Sequence, residues 1–250
     1  MRRIFRWLFL ILIGLVAGII VYEGIMFVRV LLLRNQNPSS TSLMDARVRE
    51  AEANGQQPRR EQVWVPLERI SSNLQRAVLA GEDTNFTTHH GFDYEALQKA
   101  FEQAQRETAR QAKAEGENDD WLPSLPEFKR GGSTITQQLA KNLYLTSQRS
   151  LLRKAQEAAL TVMLERMLTK RRIFEIYLNV IEWGDGIYGA EAASQRYFHK
   201  PASALSASEA AFLSAMIPNP RTIFNPQVNP RRVARRQRII MRGMPYVQLP

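Results

Sequence analysis

RKAQEAALTVMLERMLTKRRIFEIYLNVI, residues Arg153 to Ile181, contains neither glycine nor proline, and its apolar residues recur at helical spacing. From Ala158 to Leu164 the residues are apolar nearly all round, which predicts a buried helix. The charged run from Thr169 to Arg172 divides the stretch into two helices. Upstream, residues 72–81 (SNLQRAVLAG) read as a helix ending at glycine, and residues 93–114 as a longer helix that grows increasingly charged. Residues 115–128 read as a loop with two prolines, and residues 134–144 as a helix that follows a glycine pair. Downstream, residues 206–217 open with Ser206 and Glu209 in capping register and run into PNP. Residues 230–244 form an arginine-rich helix. Strand signals are few and no long repeat is present, so the predicted fold class is mainly α.

The 250 residues carry a formal charge of +10, which directs attention to anionic partners: nucleic acid, acidic lipid surfaces or phosphorylated substrates. There is no cysteine, which excludes disulfides and thiolate metal sites. The N-terminus narrows the choice. MRRIFR precedes an uncharged apolar run from Trp7 to Tyr22, and after Glu23 the apolar residues continue to Val28. As a helix, residues 7–28 would span about 33 Å, enough to cross a bilayer. The run is longer than the apolar core of a signal peptide, and no Ala-x-Ala follows it closely. The expected organisation is a cytoplasmic N-terminus (1–6), a transmembrane anchor (7–28), a juxtamembrane stalk (29–62) and a globular domain (63–250). Arg2, Arg3 and Arg6 place the N-terminus in the cytoplasm, although Arg29 and Arg34 flank the other side. A nucleic-acid partner is then not expected.

Three segments carry chemistry. In GEDTNFTTHHGFD, residues 81–93, Glu82 and Asp83 follow a helix end beside apolar residues. Such a carboxylate can have its pKa raised and act as general acid or base; the other reading is an exposed turn of solvated charges. In GGSTITQQLAKN, residues 131–142, two glycines permit close approach of a ligand, and the helix start at Ser133 and Thr134 favours an anion. Thr134, Gln137, Gln138 and Lys141 share one side of that helix, a surface fitted to sugar or phosphate. In RSLLRKAQEAAL, residues 149–160, Glu157 shares a face with Arg153 and Lys154, as an ordinary ion pair or as an inward-facing acid. No H-E-x-x-H, G-x-S-x-G or Walker spacing is present, so no resident metal or cofactor is expected. What remains, Glu82 and Glu157 with cations around them, suits glycosyl chemistry.

Taken in order, these segments together with IFEIYLNVIEWGDGIYGAEAASQRYF and SASEAAFLSAMIPNP resemble the peptidoglycan glycosyltransferases over roughly Val63 to Pro226. This is the transglycosylase part of class A penicillin-binding proteins. The pairing of GGSTITQQ with EWGDGIYGAEAA is the most specific element. No S-x-x-K is present, so the likeness is to the monofunctional biosynthetic branch, without a transpeptidase half. The resemblance implies a lysozyme-like α fold with head and jaw lobes, in the bacterial inner membrane with its catalytic domain in the periplasm. It implies polymerisation of lipid II, with lipid II, the growing glycan chain, membrane lipids and other cell-wall and division proteins as partners. It assigns Glu82 as general base and Glu157 as second functional glutamate. Lys141, Arg149, Arg153 and Lys154 would meet the diphosphate, and Ser133, Gln137 and Asn142 would form a polar wall. Asp83 and Phe86 would support Glu82 at the substrate site. A divalent cation, where one takes part, would arrive with the diphosphate. Two departures stand out: a charged excess near residues 102–123, in the jaw, and Gln156 where the family commonly has lysine. Rival readings are a lytic enzyme on the same fold, a non-catalytic wall scaffold, and a nucleic-acid binder built on RRVARRQR.

Overall fold

The computed structural model describes residues 2–98, 101–102, 105–106, 133–145 and 150–250. The N-terminal apolar run forms α1 (Arg2–Leu32). Its segment from Phe5 to Leu32 has 28 residues and a mean hydropathy of 2.5, long and apolar enough to cross a membrane. Among the described residues, only its end meets the rest of the protein. Met26, Val30 and Leu33 are buried, and their spacing of four and three puts them on one face. The Arg29 guanidinium lies 5.1 Å from the centroid of the Tyr144 ring, and Arg172 Nε donates to the Leu33 carbonyl at 2.8 Å.

Residues 29–62, expected as a stalk, include α2 (Ser42–Ala53) and β1 (Glu61–Gln62), and both pack on the body. Thr41 Oγ1 accepts from Met44 N and caps α2, and the Met44 side chain is buried. α3 (Ser72–Glu82) starts at Ser71, whose hydroxyl accepts from Leu74 N. It buries Leu74, Ala77 and Val78 and does not stop at Gly81. A Cβ at Gly81 would lie 2.7 Å from Ser214 Oγ and 3.1 Å from Ile240 Cδ1. That glycine serves close helix packing, not termination. Residues 94–98 are helical, as expected of the segment from Asp93. Residues 107–132, with Gly131, Gly132 and the expected loop at 115–128, lie outside the described residues, as do 146–149 with Arg149.

α4 (Ile135–Tyr144) is capped by Thr134 in a reciprocal box with Gln137. The long glycine-free stretch forms α5 (Leu151–Met167) and α6 (Lys170–Val180). The expected break falls at Thr169, whose hydroxyl accepts from Arg172 N and starts α6. α5 is not buried all round. Leu160, Thr161 and Leu164 are buried, whereas Val162 on the opposite face is 45% exposed. Two further strands follow, β2 (Glu182–Gly184) and β3 (Ile187–Tyr188). With β1 they make a small sheet of order β1-β3-β2, in which β3 pairs parallel with β1 and antiparallel with β2. After β3, Gly189 adopts φ +84°, and a Cβ there would lie 2.7 Å from the Asn179 carbonyl oxygen. Only glycine fits this approach. α7 (Ala190–Phe198), α8 (Ala207–Met216) and α9 (Pro230–Gly243) complete the chain. Ser206 and Glu209 form the expected capping box of α8.

α3, α8 and α9 pack together as one group, and α4, α5 and α6 as another. One core runs through both, with Phe86, Phe174, Tyr177, Trp183 and Tyr188 fully buried. Each such side chain stabilises the fold by about 1.5–3 kcal/mol relative to exposure. The fold is mainly α, with one N-terminal apolar helix.

Candidate active site

The two helical groups meet at a cleft of about 760 Å³. Glu82, the last residue of α3, enters it from one wall. α4 supplies Gln138, Lys141 and Asn142, and α5 supplies Arg153, Lys154 and Glu157. The residue that brings these walls into register is Asp83. Its carboxylate accepts from Ile135 N at 2.9 Å, one of the unpaired N–H groups at the start of α4. It also meets His89 Nε2 at 2.9 Å. Thr134 Oγ1 adds a bond of 2.7 Å to the Gly91 carbonyl. The GEDTNFTTHHGFD loop is therefore stitched to the start of α4, and Gln138, one turn along, falls against Glu82.

Glu82 is held from two sides. Gln138 Nε2 donates to Oε2 at 2.9 Å, and Arg236 Nη2 donates to Oε1 at 2.8 Å and to the Gly81 carbonyl at 2.7 Å. The orientation of the Gln138 amide is set by Tyr177, whose hydroxyl donates to Oε1 at 2.9 Å. Burial keeps the Tyr177 phenol protonated by raising its pKa well above the usual value, and the charges of Glu82 and Asp83 add to this. Burial likewise pushes the Glu82 carboxyl above the ordinary carboxylate range, against the opposing pull of Arg236, Gln138 and Lys141. Glu82 thus has the environment of a proton-accepting group.

The second glutamate sits in a cationic setting. Glu157 is buried and accepts from Arg153 Nη1 at 3.0 Å and from Lys154 Nζ. Lys141 is open at the surface of the cleft. The protein walls around it still strip enough water to lower its pKa, Glu157 opposes that shift, and Arg153 and Lys154 reinforce it. The Nε–H groups of Arg153 and Arg236 are buried and have no acceptor among the described residues. The cleft can therefore bind an anion and also accept a proton.

Of the expected site residues, Glu82, Glu157, Ser133, Gln137, Lys141, Asn142, Arg153 and Lys154 line this one cleft. Asp83 and Phe86 do not. Asp83 is spent on the start of α4, and Phe86 is buried 5.6 Å from the Phe174 ring with Lys170 over its face. The anion expected at that helix start is thus the protein's own carboxylate. Gln137 is largely committed to its cap, accepting from Thr134 N at 3.0 Å. Among the described residues no group of His, Cys, Asp or Glu is placed to hold a metal ion.

Four charged cleft residues were not foreseen: Arg47, Glu182, Arg221 and Arg236. Arg47 Nε and Nη2 donate to the two carboxylate oxygens of Glu182 at 3.1 and 3.0 Å. Burial raises the Glu182 pKa, and Arg47 opposes it. A signal existed for Arg236. It is three residues after Val233 and four before Ile240, both buried, so it lies on the inner face of α9. Nothing local pairs Arg47 with a glutamate 135 positions away.

The sequence model of the Transglycosylase family matches residues 49–116 and 122–245. The unmatched residues between fall within the charged stretch 102–123. The chain is 44% identical over 245 residues to the "Biosynthetic peptidoglycan transglycosylase" of Chromobacterium violaceum, covering 98% of this chain and 99% of that protein. It is 44% identical over 250 residues to the protein of the same name from Thiobacillus denitrificans, with full coverage of both. It is 45% identical over 240 residues to that from Aromatoleum aromaticum, with 96% of each covered. Similarity at this level along the whole chain, with one cleft collecting both glutamates and their cations, places this protein in the transglycosylase family.

Proposed function

We propose that this chain is a peptidoglycan glycosyltransferase that polymerises lipid II into β-1,4-linked glycan strands, releasing undecaprenyl diphosphate. The observation that carries the reading is a single cleft. It holds a buried carboxylate with a raised pKa, Glu82, and the cations Lys141, Arg153 and Lys154 around Glu157. The relatives' shared name supports it. Glu82 takes the proton of the acceptor GlcNAc 4-hydroxyl while that oxygen attacks C1 of the donor MurNAc. The new C1–O4 bond forms as the bond from C1 to the diphosphate breaks. The diphosphate leaves with the electron pair, and the α linkage becomes β in one inversion. Lys141, Arg153 and Lys154, joined by Arg149, meet the charge that gathers on the leaving group. Glu157 holds Arg153 and Lys154 in place for it. A divalent cation taking part would enter with the diphosphate.

α1 anchors the protein in the bacterial inner membrane, with the basic N-terminus in the cytoplasm and the catalytic body in the periplasm. The Leu33 carbonyl held by Arg172 keeps the body at the end of the anchor, close to a lipid substrate.

The test uses the purified full-length protein with lipid II in detergent, with polymer followed on a gel beside Glu82→Gln. Wild-type polymer, and a loss of about 100-fold or more in the variant, is the expected result for removal of a general base. Degradation of preformed glycan without synthesis would establish the lytic alternative.

A further inference from the structure

The concave surface does not end with the catalytic cleft. A second cavity of about 530 Å³ adjoins it, and Arg47 and Arg221 line both. α2 runs along the two. Leu43 and Arg47 face the cleft, and Arg47, Glu50 and Asn54 face the second cavity. The spacing of four, three and four residues puts these side chains on one helix face, a stripe about 16 Å long. Between the cavities lies a ridge of ion pairs. Arg47 spans Glu182 and Glu50, and Arg221 contacts Glu50 at 2.8 Å and Asp185 at 3.1 Å. Beyond the ridge the lining turns to exposed polar groups, the side chains of Asn54, Gln56, Gln57 and Arg59. Arg59 has no ion pair among the described residues. Amides both donate and accept, which suits sugar hydroxyl and acetamido groups, and a free guanidinium suits a carboxylate.

On the polymerase reading above, we propose that the second cavity is a subsite for the glycan product. Its ligand is a strand of N-acetylated sugars bearing peptide carboxylates, which crosses the Arg47–Arg221 ridge and lies along α2. An enzyme that released its product after each bond would need the cleft alone. One that holds a growing polymer gains from a polar groove continuous with the cleft, because contacts to units already joined keep the strand in place for the next addition. The N-terminal segment supplies most of that groove, and Asp185, Gly186 and Arg221 complete it.

The experiment measures binding without turnover, in full-length Glu82→Gln protein in detergent micelles. The probes are uncrosslinked, lipid-free peptidoglycan strands and a soluble disaccharide-peptide monomer, both fluorescently labelled. The same protein carrying Asn54→Ala, Gln57→Ala and Arg59→Ala is compared. Alanine at position 59 keeps the Cβ that packs against Gly186. The affinity for strands is expected to fall about tenfold or more, from the loss of several polar contacts, one of them charged. The affinity for the monomer is expected to change much less. Equal strand affinity in the two proteins would overturn the subsite, and so would an equal loss for strand and monomer. A melting curve for each protein confirms that both are folded. Wild-type protein assayed in parallel for lipid II polymerisation separates the two failures: absence of polymer there would remove the polymerase reading itself.

Discussion

Arg236 and Glu82 show how a single contact sets the chemistry of a residue. The Glu82 side chain is largely buried, and burial favours its protonated form. The Arg236 guanidinium at 2.8 Å opposes that and favours the ionised form a base requires. Arg236→Met leaves burial unopposed on that side. The acid limb of the rate profile should then move to higher pH, with activity lost at neutral pH and partly regained in alkaline buffer. A profile measured from pH 5 to 9 checks this, and a uniform drop at every pH would show that Arg236 acts otherwise. Stability carries a linked sign. A carboxyl with a raised folded pKa binds its proton more tightly when folded, so its stabilising contribution is present at low pH and lost as pH rises through that pKa. Wild type should therefore gain stability relative to Glu82→Gln as pH is lowered from 7 towards 5, which paired denaturant melts will show. Both glutamates were legible in the sequence, because each sits in a local pattern: Glu82 at a helix end, Glu157 one turn from two cations. The Arg236 partnership was not, because it links positions 154 residues apart.

Helix starts and tight turns hold the cleft's geometry. α4 begins where the Asp83 carboxylate receives the Ile135 N–H, and that junction positions Gln138 and Lys141. Asp83→Ala leaves this donor and His89 without their buried partner. A loss of about 3 kcal/mol is expected in urea unfolding, the scale of breaking a buried pair. The turn after β3 is equally exacting. Gly189→Ala combines a positive φ with a Cβ 2.7 Å from a backbone oxygen, so more than about 2 kcal/mol should be lost. Several helices were readable from periodicity, from the charged break at Thr169 and from the Ser206 capping pattern, whereas α2 and α7 were not. The two-residue strands β1 and β3 were not, because their pairing is decided by chain segments far apart.

At the scale of the whole molecule, the body does not start at residue 63. α2 covers the core with Met44 and sends Arg47 to the buried Glu182. A chain beginning at Val63 loses that partner and leaves a buried carboxylate unpaired, a loss of about 3–5 kcal/mol. A chain beginning at Thr41 keeps it. The longer chain should melt cooperatively and polymerise lipid II in detergent, and the shorter should do neither well; calorimetry and the gel assay compare them. Matching melting curves would show that α2 is dispensable.

The sequence by itself determined the helical class, the N-terminal apolar helix and the Ser206 cap, and it singled out the two glutamates that share the cleft. These rest on local chemistry: periodicity, hydroxyl caps, and charges one turn apart. Only the tertiary structure decided that Asp83 is spent on the start of α4, that Arg236 returns from the C-terminal helix to Glu82, and that the segment before the catalytic domain walls the cleft. Those outcomes depend on which distant surfaces bury each other, and no short window of sequence carries that information.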